Sequence, residues 1–153
     1  PTGPRSTESS KWNHPVDVEG GSVKVVQLRK AKALKGDKSR SYQVINPDNV
    51  GSRRFMITVV EVRPGGSTPA HEHRTVESMY YILEGRGEIP TGKGGKGKAV
   101  GPKTAVYFPA GSVHGIRNTG RTRLVYVSCH APPYEIEDLY RHWQEKDFVT
   151  TGG

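Results

Sequence analysis

The chain has 153 residues, a length that suits one domain around one core, and its 33% hydrophobic and 25% charged content fits a folded soluble protein. Nineteen glycines and 11 prolines argue against a helical bundle, and a single cysteine, Cys129, excludes an internal disulfide framework and favours a reducing, cytoplasmic setting. The net charge of +8 would attract an anionic partner, yet no nucleic-acid motif accompanies it and no run of 18 apolar residues could span a membrane, so neither partner is expected.

Residues 1–20 are polar and proline-bearing, lack an apolar signal core, and read as an N-terminal arm. "SVKVVQLR" (22–29) alternates as a strand would. The basic stretch that follows, with Arg29, Lys30, Lys32, Lys35, Lys38 and Arg40 against Asp37, reads as a solvated loop or short helix. From residue 42 the pattern becomes strand after strand: "YQVIN" (42–46), "RFMITVVEV" (54–62), "SMYYILEG" (78–85), "TAVYFP" (104–109) and "RLVYVSCH" (123–130). All are rich in β-branched and aromatic residues and are separated by turn signals such as "RPGG" and "PAGS". "GKGGKGKA" (92–99) comes close to a phosphate loop, but Ala99 stands where the hydroxyl residue belongs and no strand–loop–helix context surrounds it. A hairpin loop is expected there. Near the end, Ile136, Leu139, Tyr140 and Trp143 fall at i, i+3, i+4 and i+7, one apolar stripe on a helix entered after Pro133. The predicted organisation is an arm (1–20), an all-β barrel (21–133) and a C-terminal helix with its tail (134–153).

The chemistry concentrates in two places. In "PGGSTPAHEHRTVESMYYILEG" (64–85), His71 and His73 are two apart, so on a strand both imidazoles face the same side and can serve one metal. In "FPAGSVHGIRN" (108–118), the Pro109–Gly111 turn sets the direction in which His114 projects. His14, His130 and His142 have no ligand spacing around them and read as tail, core edge and helix surface.

Together these segments resemble the two motifs of the cupin superfamily. The first motif is glycine, five residues, H-x-H, three or four residues, glutamate, six residues, glycine; Gly65, His71 and His73 match it. The second is glycine, five residues, P-x-G, two residues, histidine, three residues, asparagine; Pro109, Gly111, His114 and Asn118 match, while Lys103 stands in place of the opening glycine. The resemblance implies an antiparallel β-barrel of the double-stranded β-helix, or jelly-roll, type, holding one divalent transition metal on His71, His73, His114 and a carboxylate. Iron leads among the metals it implies, with manganese, nickel, zinc and copper also suited to such ligands. It implies a homodimer as well.

The carboxylate is the departure. Three intervening residues after His73 lead to Glu77, whereas six intervening residues before Gly85 lead back to Ser78. Electrostatics favours Glu77, because a divalent ion in an apolar barrel gains most from a negative ligand; Ser78 facing inward is the alternative. Tyr80 and Tyr107 are the expected catalytic side chains, able to donate a proton or orient a substrate, and Arg54 or Arg117 could hold an anionic group. The expected function is a metal-dependent oxygenase acting on a small organic substrate. A non-redox isomerase, cyclase, lyase or decarboxylase and a non-enzymatic ligand-binding cupin are the alternatives.

Overall fold

The computed structural model describes residues 21–91, 97–136 and 149–151, and these form two facing β-sheets. The first sheet runs in the order β1 (Ala33–Lys35), β2 (Ser39–Ile45), β3 (Met56–Val62), β10 (Leu124–Ala131), β5 (Glu77–Glu84) and β8 (Ala105–Phe108). The second runs β11 (Val149–Thr151), β4 (Ser67–His73), β9 (Val113–Asn118), β6 (Gly87–Ile89) and β7 (Lys98–Val100). All pairings are antiparallel except β11 with β4. This is the jelly-roll barrel expected from the sequence. A short helix α1 (Pro47–Val50) links β2 to β3, held by reciprocal bonds between the Asn46 and Asn49 side chains and backbone amides, each 2.9 Å.

Strict alternation sorts side chains between the barrel interior and its outside. On β3, Met56, Thr58, Val60 and Val62 are buried while the residues between them are only half-buried. The same parity sends Leu124, Tyr126, Ser128 and His130 inward from β10, and Ser78, Tyr80 and Ile82 inward from β5. The interior is therefore graded along its length. One end is closed by Val62, Ile82 and Leu124, all fully buried, each worth about 1.5–3 kcal/mol of burial. The other end carries Ser41, Gln43, Thr58, Ser78, Ser128 and four histidines.

Two sequence expectations change. Residues 21–27 form no strand: Val23 and Val25 are 92% and 84% exposed, and no described strand pairs with them. The alternation there is real, but a strand needs a neighbour for its backbone bonds. The basic stretch is more ordered than a loop, since it contains a 3-10 turn at Leu28–Lys30, then β1 and the start of β2. The N-terminal arm, most of the 92–99 loop, His14, His142 and the C-terminal helix beyond Ile136 lie outside the described residues. No described helix is long and apolar enough to cross a membrane.

A candidate three-histidine metal centre

His71 and His114 are directly opposed across the β4–β9 ladder, and His73 lies two residues along β4 on the same inward face. A bulge between Thr68 and His71 adjusts this register, and the Thr68 hydroxyl accepts a bond from the Ile116 amide at 3.1 Å. Gly115 is required at the close approach, because a Cβ there would stand 2.8 Å from the Thr68 carbonyl oxygen and 3.0 Å from that of Pro69. The Pro109–Ser112 turn is tied to β4 by the Gly111 amide, which donates to the His73 carbonyl at 2.6 Å.

The three imidazoles converge. Ring centroids are 4.3 Å apart for His71–His114, 4.9 Å for His71–His73 and 5.0 Å for His73–His114. One ligand nitrogen from each lies within 4.8 Å of the others. All three rings are buried. Their tautomers are set from outside: His71 Nδ1 donates to the Pro69 carbonyl at 2.8 Å and His114 Nδ1 to the Ser112 carbonyl at 2.9 Å. In both rings the Nε2 lone pair is thereby left for the interior. His114 Nε2 is buried with no hydrogen-bond partner among the described residues. Burial first, and then the neighbouring imidazoles, keep the rings neutral, with His73 pushed down to about 3 and His71 well below its ordinary value. Neutral, pre-oriented imidazoles with an unused buried nitrogen fit a divalent transition ion.

The sequence pattern of the Cupin domain matches residues 58–130, the stretch that supplies all three histidines. The chain belongs to the cupin family. It is 33% identical over 96 residues to an uncharacterized protein of Methanocaldococcus jannaschii, covering 63% of this chain and 75% of that protein. Among solved structures it is similar to the polyketide cyclase RemF of Streptomyces resistomycificus, at 28% identity and TM-score 0.63, over 80% of this chain and 94% of that one. It also shares its fold with a predicted oxalate decarboxylase of Thermotoga maritima, at 20% identity and TM-score 0.63, over 72% of this chain and all of the other.

Against the cupin pattern, the structure resolves the carboxylate question for position. Glu77 is exposed on the outer face, so the expected fourth ligand is not brought to the triad; Ser78 is buried in its place. Four residues separate Ser78 from His73 and six separate it from Gly85, so both halves of the motif agree on it. The ladder is irregular further on, where Tyr126 pairs with Ile82 and Val125 with Glu84, leaving Leu83 as a bulge. Tyr107 also corrects an expectation: it is 61% exposed on the outside of β8, beside the Glu77 carboxylate, and away from the imidazoles. Tyr80 is inside, 6.1 Å from the His114 ring and packed on Phe108 and Tyr126. Arg117 pairs with Glu88 at 2.9 Å on the surface, and Arg54 is exposed.

Lys103, where the motif has glycine, adopts the left-handed conformation at φ 65°, which explains why glycine suits that position. Asn118 is structural. Its Nδ2 donates to the carbonyls of Val62 and Thr122, each at 2.8 Å, and its Oδ1 accepts from the Gly120 amide at 2.9 Å.

Sequence reasoning missed His130. It is buried, its ring centroid is 5.5 Å from that of His73, and both ring nitrogens are bonded, Nδ1 to Ser78 Oγ at 2.8 Å and Nε2 to Ser128 Oγ at 2.7 Å. The register puts His130 opposite Ser78, and strand parity puts Ser128 on the same face. Parity along "LVYVSCH" from the buried Tyr126 was the available signal. Burial, then the charge of His114, pushes His130 down to about 3, so one nitrogen donates and the other accepts. Tyr134 was missed too; its ring lies 4.3 Å from that of His73 and 5.0 Å from that of His130.

Proposed function

We propose that this cupin is a metal-dependent enzyme that acts on a small organic molecule by Lewis-acid chemistry of the cyclase, lyase or decarboxylase kind. The observation that carries the reading is the inward convergence of three neutral histidines with no carboxylate among them. A divalent ion held by His71, His73 and His114 would supply a full positive charge to polarise a substrate oxygen. The chain's own groups do the rest. The carbonyls of Pro69 and Ser112 hold two of the imidazoles in the ligand tautomer. Phe108, stacked on His114 at 4.7 Å, and Tyr80 fill the barrel behind the triad and keep water out. The Ser78–His130–Ser128 chain can pass a proton: when His130 accepts at one nitrogen from a serine hydroxyl, the other nitrogen donates onward. That chain occupies the position where the family pattern has its glutamate. The RemF cyclase, at 28% identity, supports this class of reaction.

Oxygenase activity is the second reading, favoured by the same all-histidine set, which leaves coordination positions for a substrate and a co-reactant. Reconstitution with zinc and separately with ferrous iron, followed by assay of hydroxylated and keto acids with and without oxygen, separates the two. Turnover by the zinc form without oxygen is the expected result. Turnover confined to the iron form and dependent on oxygen overturns the Lewis-acid reading.

A further inference from the structure

Outside the histidine cluster a cavity of about 310 Å³ opens between the Leu28–Lys30 turn, the α1 segment and the Pro133–Ile136 stretch, floored by Gln43 and Met56. A second, inner space of only about 20 Å³ lies against His71, Tyr80 and His130. Tyr134 and Ile136 line both, so they form the partition between them. The inner space holds roughly one water-sized group. The body of any substrate must then rest in the outer cleft, with only its reacting group beyond Tyr134.

Gln43 gives the cleft a chemical preference. Its side chain is 3% exposed, and its Nε2 donates to the Ser41 carbonyl at 3.2 Å and to Ser41 Oγ at 3.1 Å. A backbone carbonyl can only accept, so this contact fixes which end of the amide is nitrogen. Oε1 is buried and has no hydrogen-bond partner among the described residues. A buried acceptor left unmet is destabilising, and a ligand hydroxyl would satisfy it. The rim beside it is rigid: Asn49 Nδ2 donates to the carbonyls of Gln43 and Val44 at 3.1 and 2.9 Å. The walls at Met56, Tyr134 and Ile136 are apolar or aromatic. Lys30, Lys32, Asp48 and Glu135 all line the cleft, two of each sign, so it selects no net charge.

We infer that this cleft is the substrate pocket serving the metal centre and that it takes a planar hydroxylated aromatic or enolic molecule. The hydroxyl donates to Gln43 Oε1 and the ring packs against Tyr134 and Ile136. The inference rests on the enzymatic reading above, but recognition by Gln43 requires no metal and is tested without one.

The probes are 2,7-dihydroxynaphthalene and its dimethyl ether, titrated calorimetrically into metal-free protein, with side-chain amide shifts followed by NMR. The dihydroxy probe should shift the Gln43 amide and bind at least tenfold more tightly than the ether, which cannot donate. Gln43→Met should bring the dihydroxy probe to the affinity of the ether and leave the ether unchanged. His71→Ala should keep the preference. Equal affinity for the two probes, no binding of either, or an unaltered preference in Gln43→Met overturns the inference. Binding that appears only with zinc and vanishes in His71→Ala overturns it too, while leaving the metal centre intact.

Discussion

Replacing Ser78 with alanine removes the hydroxyl that bonds His130 Nδ1 at 2.8 Å and leaves that ring nitrogen unmet in the barrel. Ser78 and His130 are 3% and 4% exposed, so water does not replace the lost partner. A buried polar group stripped of its bond costs about 1–3 kcal/mol, and deleting one hydroxyl adds little cavity. Glu77, one residue earlier, points outward, and Glu77→Gln should change stability by no more than about 0.5 kcal/mol. The assay is urea unfolding of the metal-free variants near pH 7.5, where the buried histidines are neutral in folded and unfolded chains alike. Ser78→Ala should lower the unfolding free energy by about 1–3 kcal/mol at an unchanged slope. A cost below about 0.5 kcal/mol, or a larger cost for Glu77→Gln, would refute the register that places serine inside and glutamate outside.

Two further outcomes follow from single features. The histidine pKa is ordinarily 6.5, and His73 and His130 are pushed down to about 3, so between those values the unfolded chain binds more protons than the folded one. Stability of the metal-free protein should therefore rise with pH through that window and be lost as pH falls from about 6.5 toward 3. The slope approaches roughly 1.4 kcal/mol per pH unit for each such histidine; unfolding curves at pH 4.5, 5.5 and 7.5 check it, and a flat profile contradicts it. Lys103→Gly relieves a left-handed lysine at φ 65° and should stabilise the chain by up to about 1 kcal/mol in the same assay, whereas a loss of stability would show that the lysine side chain is needed there.

The strands that were legible in the sequence are the apolar ones. β3, β5, β8 and β10 are rich in β-branched or aromatic residues, and their predicted limits fall within a residue or two of the observed ones. β4 ("STPAHEH") and β9 ("VHGIRN") have no such signature, because their inward positions hold the polar site, and only the histidine spacing betrayed them. Residues 22–29 erred the other way: the local pattern favours a strand, but pairing is a property of what lies alongside, which no local pattern contains. Glu77 was favoured on the charge a metal prefers, yet side-chain parity along β5 decides which residue faces it, and parity puts Ser78 with Tyr80 and Ile82. His130 escaped notice because its partners, Ser78 and Ser128, come from a neighbouring strand and from two residues back, neither of which forms a motif.

The central claim is that His71, His73 and His114 hold the ion without Glu77. Elemental analysis of purified protein, after dialysis against a weak chelator, tests it most directly. Wild type and Glu77→Gln should each carry one divalent transition ion per chain, and His114→Ala, whose fold is checked by its β-sheet circular dichroism, should carry almost none. A wild-type chain without stoichiometric metal, a folded His114→Ala chain that keeps its ion, or loss of the ion in Glu77→Gln would contradict the account.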